Sequence, residues 1–192
     1  MYTLKFDGLF HRIWETDSQI DQAGFMCYGW LILKNKRIVA KGHGGFARGQ
    51  AATSLNAEYL ALIEGLEALI DMGIQSERVK VIGDAKPVIE QMLGAAAVNS
   101  PQLKPLYRRA RRLAATFRKV SWIWIPRKNN RDADRLTRRA IQQICADLTN
   151  YEATMRAIDP RLVSVAKAKK YVPVMDLRIY LPGRLPIQPP GS

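Results

Sequence analysis

The chain has 192 residues, 47% of them hydrophobic and 24% charged, with 30 Lys and Arg against 17 Asp and Glu for a formal net charge of +13. This length suits one well-buried domain with an appendage, the composition excludes a disordered chain, and no apolar run approaches the roughly 20 residues of a membrane span. The positive excess points to a polyanionic partner, and nucleic acid is the natural one, because neutralising its phosphates releases condensed counterions.

Taken in chain order, residues 2–10 alternate as a first strand, and 25–34 (FMCYGWLILK) and 37–46 (RIVAKGHGGF) predict a hairpin that turns near Asn35. The amino end lacks a basic segment followed by an apolar core, so no secretory signal is expected. Leu55, Tyr59, Leu62, Leu66 and Leu69 then recur at helical spacing, and Gly73 stops the run. A β-branched strand follows and ends on Asp84, and Pro87 opens a short helix to Leu93. A basic helix over 102–117 leads to the strand VSWIWIP, closed by Pro126. The last helix runs from Arg131 through Leu136, Ala140, Ile144 and Leu148 to Ala157, before Pro160 breaks it. The order is βββαβα(α)βα, an α/β fold occupying residues 1–158. Residues 159–192 read as a proline-rich tail, partly ordered or disordered. Within it VPVMDLRIYL has strand-like residues that can pair with an edge or a second subunit, with a disordered extension as the expected state. Cys27 and Cys145 stand in apolar surroundings and suit unpaired thiols in a reducing, intracellular compartment, cytoplasmic in the first instance.

Four acidic residues stand where the apolar pattern does not explain them. Asp84 sits where a strand's carboxyl end meets a helix's amino end, the edge at which open α/β sheets bind ligands. The competing reading is a helix cap, for which Asp is well suited. Asp7 interrupts the first strand, Glu58 shares or borders the inward stripe of the first helix, and Asp134 opens the last one. Singly, Glu58 and Asp134 can be explained as acids answering a helix dipole. Four carboxylates converging without a metal would repel one another, so convergence would itself argue for cations.

Asp7 on its strand, NAEYLALIEGLEAL with Glu58, VIGDAKPVIEQM with Asp84, VNSPQLKPLYRRA, and WIPRKNNRDADRL with Asp134 resemble, in order and spacing, type 1 ribonuclease H. The resemblance covers roughly residues 2–142 and is strongest to the short plant and archaeal branch without the basic handle helix. It implies a ribonuclease H-like fold with a five-stranded mixed sheet in the order 3-2-1-4-5 and helices on both faces. It also implies endonucleolytic hydrolysis of the RNA strand of RNA·DNA hybrids, by two divalent ions, Mg²⁺ or Mn²⁺, held by Asp7, Glu58, Asp84 and Asp134. Two alternatives from other classes are a duplex-binding module without catalysis and another nuclease of the same fold. Exonucleases of that fold want a second acid two residues after the first, where this chain has Leu9.

Binding is expected from Ser54 and Asn56 at the first helix, from Arg108 and Arg112 on the basic helix, and from Arg127, Lys128 and Asn130 before the last. The basic residues are concentrated: thirteen lie between Lys104 and Arg139, against Asp132 and Asp134 alone. Three departures from the family bear on specificity. Ala85 replaces a usual Ser, Ser54 and Leu55 replace paired asparagines, and the loop before Asp134 has no histidine. Recognition of the RNA strand is therefore expected to lean on Asn56, backbone groups and duplex shape, with some cleavage of duplex RNA. His11, in the long segment 8–24, and His43 read as incidental. A monomer is expected, a tail-mediated dimer being the alternative.

Overall fold

The computed structural model describes residues 1–13 and 22–181. Strands β1 (Tyr2–Arg12), β2 (Gly24–Lys34) and β3 (Arg37–Arg48) form an antiparallel meander. Its second turn has Asn35 and Lys36 at φ of 52° and 66°, the left-handed pair that lets a two-residue turn follow the strands' twist. Helix α1 (Ser54–Asp71) returns across the sheet, and β4 (Arg78–Gly83) joins β1 in parallel. Helices α2 (Lys86–Leu93) and α3 (Lys104–Ala115) lead to β5 (Lys119–Trp124), parallel to β4. A 3-10 turn at Arg127–Asn129 precedes α4 (Arg131–Ala146), followed by α5 (Leu148–Ile158), α6 (Val165–Ala168) and β6 (Val172–Tyr180). Among the described residues no helix is long and apolar enough to cross a membrane.

The sheet order is β5-β4-β1-β2-β3-β6, so the expected five-stranded arrangement is present with a sixth strand added at the β3 edge. β6 lies in the stretch whose sequence predicts a disordered extension, and it pairs antiparallel with β3 from Ala47↔Val172 to Ala40↔Tyr180. One face of the added strand is fixed by charge. The Arg178 guanidinium reaches Glu64 at 2.7 Å and Asp71 at 2.9 Å on α1, and Tyr180 donates to Asp71 at 3.2 Å. The expected single helix over 131–157 is also two helices. Asp147 leaves helical geometry (φ −88°, ψ 81°), and its side chain caps α5 by accepting from the Asn150 N–H at 3.1 Å. The proline-rich end at 182–192 and the middle of the 8–24 segment, at 14–21, lie outside the described residues.

Arg178 carries a testable stability role. Glu64 is buried, and burial first, then the nearby Glu67 charge, pushes its carboxyl up to about 7, with Arg178 opposing the shift. Replacing Arg178 with Ala leaves Glu64 enclosed without its cation, and should destabilise the protein at pH 8 by about 2–4 kcal/mol. Urea unfolding reads this directly, and a change below about 0.5 kcal/mol would show that the β6 clasp contributes little.

Two apolar layers flank the sheet. Leu4, Phe6, Tyr28 and Trp30 pack with Leu62, Leu66 and Leu69 of α1 and with α2 and α3 on one face. Phe25, Cys27, Ala140, Ile144 and Ile158 form the smaller layer under α4 and α5 on the other. Cys27 is buried and Cys145 exposed, and both are free thiols.

Candidate active site

β1 and β4 stay paired only as far as Lys5 and Ile82, while β1 runs on beside β2 to Arg12. The sheet thus parts at Phe6 and Gly83, where a strand with an antiparallel neighbour on one side and a parallel neighbour on the other opens a crevice. Asp7 lies in that opening and is 2% exposed. Its cross-strand partner is Gly29, where a Cβ would lie 2.6 Å from the Leu136 Cβ. The missing side chain lets α4 sit down on the sheet, and Thr137 of α4 donates to Asp7 Oδ2 at 2.9 Å. Gly8 faces the other way, and a Cβ there would meet the Ala57 carbon and the Glu58 nitrogen at 2.3 Å. Two adjacent rows of the sheet, each thinned to glycine, therefore admit helices from opposite faces and bring Glu58 and Asp134 to Asp7. The amino end of α1 is fixed by Thr53, whose Oγ1 accepts from the Asn56 N–H at 3.2 Å.

Asp84 is not a helix cap. Ala85 occupies that position, without a side-chain bond. Instead Asp84 Oδ1 accepts from Asn130 Nδ2 at 2.6 Å, and the same amide nitrogen donates to the Phe6 carbonyl at 2.8 Å. One buried side chain so ties the middle of β1, the end of β4 and the start of α4 together. Asp134 is held by Arg127 Nη2 at its Oδ1 and by Arg138 Nε at its Oδ2, both at 2.8 Å.

The charges are unevenly compensated. Burial pushes the Asp7 carboxyl up to about 7, reinforced by the charges of Asp84 and Asp134 and opposed by the Thr137 hydrogen bond. Glu58 is raised well above the usual range by burial and by Asp7 and Asp84, although the Gly8 N–H donates to it. Its Oε2 is enclosed with no hydrogen-bond partner. Asp134 is lowered, first by the Arg138 hydrogen bond. Among the described residues no three Asp, Glu, His or Cys side chains already form a closed metal-ligand group. Asp84 is drawn to Asn130 and Asp134 to its arginines, so the carboxylates are neighbours coupled through charge rather than a finished cage. An orphaned buried carboxylate oxygen, two raised carboxyls and an all-oxygen donor set fit a hard divalent cation.

The expected binding residues divide. Ser54, Arg108, Arg112, Arg127 and Lys128 are exposed. On α3, Arg109 pairs with Glu67 and Arg111 donates to the Met92 carbonyl, which leaves Arg108 and Arg112 as the pair turned to solvent. They line a shallow cavity of about 630 Å³ with Pro105, Tyr107 and Arg111. Two expectations are corrected. Asn130 is fully buried and its donors are spent inside the protein, so it positions the site instead of meeting phosphate. Asn56 is 1% exposed and donates to the Tyr171 hydroxyl at 2.7 Å, so its amide does not reach a groove. His43 is buried and bonded to Gln143 at 2.6 Å, and His11 is exposed. Sequence reasoning missed Thr137, Gly8, Gly29 and Tyr171. Thr137 alone had a local signal, one helical turn beyond Asp134.

Acidic residues from the middle of β1, the end of β4 and two helix starts, at the switch point of a mixed sheet covered on both faces, define a nuclease-like site of the ribonuclease H fold. A family model described as "reverse transcriptase-like" matches residues 16–140. The bifunctional protein Rv2228c of Mycobacterium tuberculosis is 41% identical over 119 residues, covering 62% of this chain and 31% of that protein. The chain thus spans about a third of the length of this curated relative. The crystal structure of RNase H1 from Halobacterium salinarum superposes with a TM-score of 0.60 at 33% identity, covering 74% of this chain and 98% of that one. LC11-RNase H1, solved in complex with an RNA/DNA hybrid, shares the fold at a TM-score of 0.61 and 24% identity over 74% of this chain and 98% of its own. The chain belongs to the type 1 ribonuclease H family.

Proposed function

We propose that the protein is an endonuclease that hydrolyses the RNA strand of RNA·DNA hybrids, with Asp7, Glu58, Asp84 and Asp134 holding two divalent cations, Mg²⁺ or Mn²⁺. The observation that carries this reading is the convergence of the four carboxylates at the parted sheet, with Glu58 Oε2 enclosed and unpaired. Two such ions, when bound, supply a water made nucleophilic at neutral pH and stabilise the attacking and leaving oxygens of an in-line displacement. The protein's own part is positional. Asn130 fixes the Asp84 carboxylate against the Phe6 carbonyl, and Thr137 orients Asp7. Arg127 and Arg138 hold Asp134 ionised at the mouth of the crevice. Burial disfavours the charged forms of Asp7 and Glu58, and a cation held between them would offset that cost.

Hybrid binding is supported by kinship with the RNase H1 structures and by the exposed Arg108 and Arg112, whose charge suits phosphate. Duplex RNA and the hybrid share an RNA strand with its 2′-hydroxyls, so bonds to that strand do not tell the two apart. With Asn56 withdrawn and only Ser54 exposed at the start of α1, fewer side-chain donors face that strand. Recognition that leans on the A-like shape of the duplex accepts duplex RNA as well. End-labelled hybrid, duplex RNA and duplex DNA incubated with Mg²⁺ or Mn²⁺ should show internal cuts in the hybrid's RNA, weaker cutting of duplex RNA in Mn²⁺, and intact DNA. Failure to cut the hybrid with either ion removes the enzymatic reading. Strict hybrid specificity removes only the relaxed-recognition part.

A further inference from the structure

Residues beyond Ala140 lie outside the matched family region, yet they return to the helix that carries Glu58. The loop into α1 is seated on them. The Gly49 N–H donates to the Ala168 carbonyl at 2.8 Å, and a Cβ at Gly49 would lie 1.8 Å from the Ile158 carbonyl oxygen. Three residues beyond Ala168, the Tyr171 hydroxyl accepts from Asn56 at 2.7 Å and from Arg48 at 3.1 Å, with the Arg48 guanidinium 4.7 Å over the Tyr171 ring. Asn56 stands two residues before Glu58 on the first turns of α1. The segment Lys167–Tyr171 is therefore fastened to the amino end of the helix that delivers a catalytic carboxylate.

Lys167, Lys169 and Lys170 are exposed on this segment. Among the described residues none of the three ammonium groups meets a carboxylate. They adjoin the amino end of an 18-residue helix, which adds positive potential of its own. The sheet order sets the geometry: α3 adjoins β5 at one end of the sheet through Ala114, Ala115, Val120 and Trp122, while Lys167–Tyr171 lies by the β3–β6 end. Basic groups thus stand on both sides of α1, Arg108 and Arg112 on one and the lysines on the other.

We propose that Lys167, Lys169 and Lys170 form a second phosphate-binding surface, which grips the backbone of the bound hybrid on the side of α1 away from α3. This rests on the hybrid-cleaving reading above. Lysines without acidic partners act as mobile point charges, which suits sequence-independent attraction to a backbone and not recognition of a base edge. The surface adds to the affinity and to the salt dependence of binding, because each phosphate neutralised releases counterion.

The test measures equilibrium binding of a short fluorescent RNA·DNA hybrid by the full chain, without divalent cations, over a series of salt concentrations. The triple variant K167A/K169A/K170A should bind more weakly, and the slope of log affinity against log salt should shrink by about 0.9 for each phosphate that is no longer neutralised. The control K36A/R37A, at the β2–β3 turn on the far end of the strands, removes two charges without altering the lysine surface and should keep the slope. An unchanged slope in the triple variant, or an equal loss in the control, overturns the proposal. If the triple variant fails to fold, K169Q and K170Q, both after the end of α6, carry the same comparison one charge at a time. Cleavage by the unaltered chain is scored separately. A hybrid bound through the lysines but not cut removes the enzymatic reading and keeps the lysine surface, whereas cutting with an unaltered slope does the reverse.

Discussion

Replacing Asp84 with Asn is expected to leave the fold intact and to reduce hybrid cleavage by at least about 10³-fold, equivalent to about 4 kcal/mol of transition-state stabilisation. The substitution is nearly isosteric. An Asn side-chain oxygen can still accept the Asn130 amide hydrogen that Asp84 Oδ1 accepts at 2.6 Å. No cap is removed either, since α2 is capped at Ala85 without a side-chain bond. The unfolding free energy should change by less than about 1 kcal/mol. Only the negative charge disappears, and with it the ligand proposed for the cation and one of the charges that raise Asp7 and Glu58. Single-turnover cleavage at saturating hybrid, beside a urea titration, separates the two effects. An Asp84→Asn protein that keeps more than a tenth of the activity would mean that the carboxylate serves the structure and not the chemistry.

Removal of divalent cations should make stability fall as pH rises through neutrality, and Asp7 is the residue that shows it. Its carboxyl is raised from 3.8 to about 7, so between those values the folded chain binds a proton that the unfolded chain has released. Stability from this source is fully present below the unfolded value and is lost as pH rises through the folded one. Glu58, raised in the same direction, acts with it, and Asp134, lowered by its arginines, acts in the opposite sense at lower pH. Without divalent cations, Asp7→Asn should therefore be more stable than the parent at pH 8, by on the order of 2 kcal/mol, with the difference vanishing near pH 4. Adding Mg²⁺ should stabilise the parent at pH 8 far more than at pH 5, and should leave Asp7→Asn almost unaffected. Thermal unfolding with and without Mg²⁺ at the three pH values checks this. An equal Mg²⁺ effect on both proteins would place the ion away from Asp7.

The strands and helices that are readable from residue order alone are those that a short-range pattern encodes. The alternation of 2–10, 25–34 and 37–46, the helical spacing from Leu55 to Leu69, and the β-branched run into Asp84 each bury one face whatever the rest of the chain does. Those four strands and the first helix follow from them. The four candidate carboxylates stood out for the same reason, since each breaks a pattern locally, Asp7 inside its strand and the others at a strand end or a helix start. Tertiary structure decided the rest. Asn56 and Asn130 looked like donors for nucleic acid because they neighbour the acids proposed as catalytic. Their actual roles depend on Tyr171 and on the Phe6 carbonyl, more than a hundred residues away in sequence, which take their amide hydrogens inside the protein. β6 stayed hidden because what fixes Arg178 is a group of α1 carboxylates equally remote. Asp147 ends a helix whose apolar spacing continues across it, because its side chain is bound to the Asn150 N–H as a cap. Local periodicity specifies which face of an element is apolar, but the partner of a polar group is set by the path of the whole chain, and here that path decided which polar residues stay exposed.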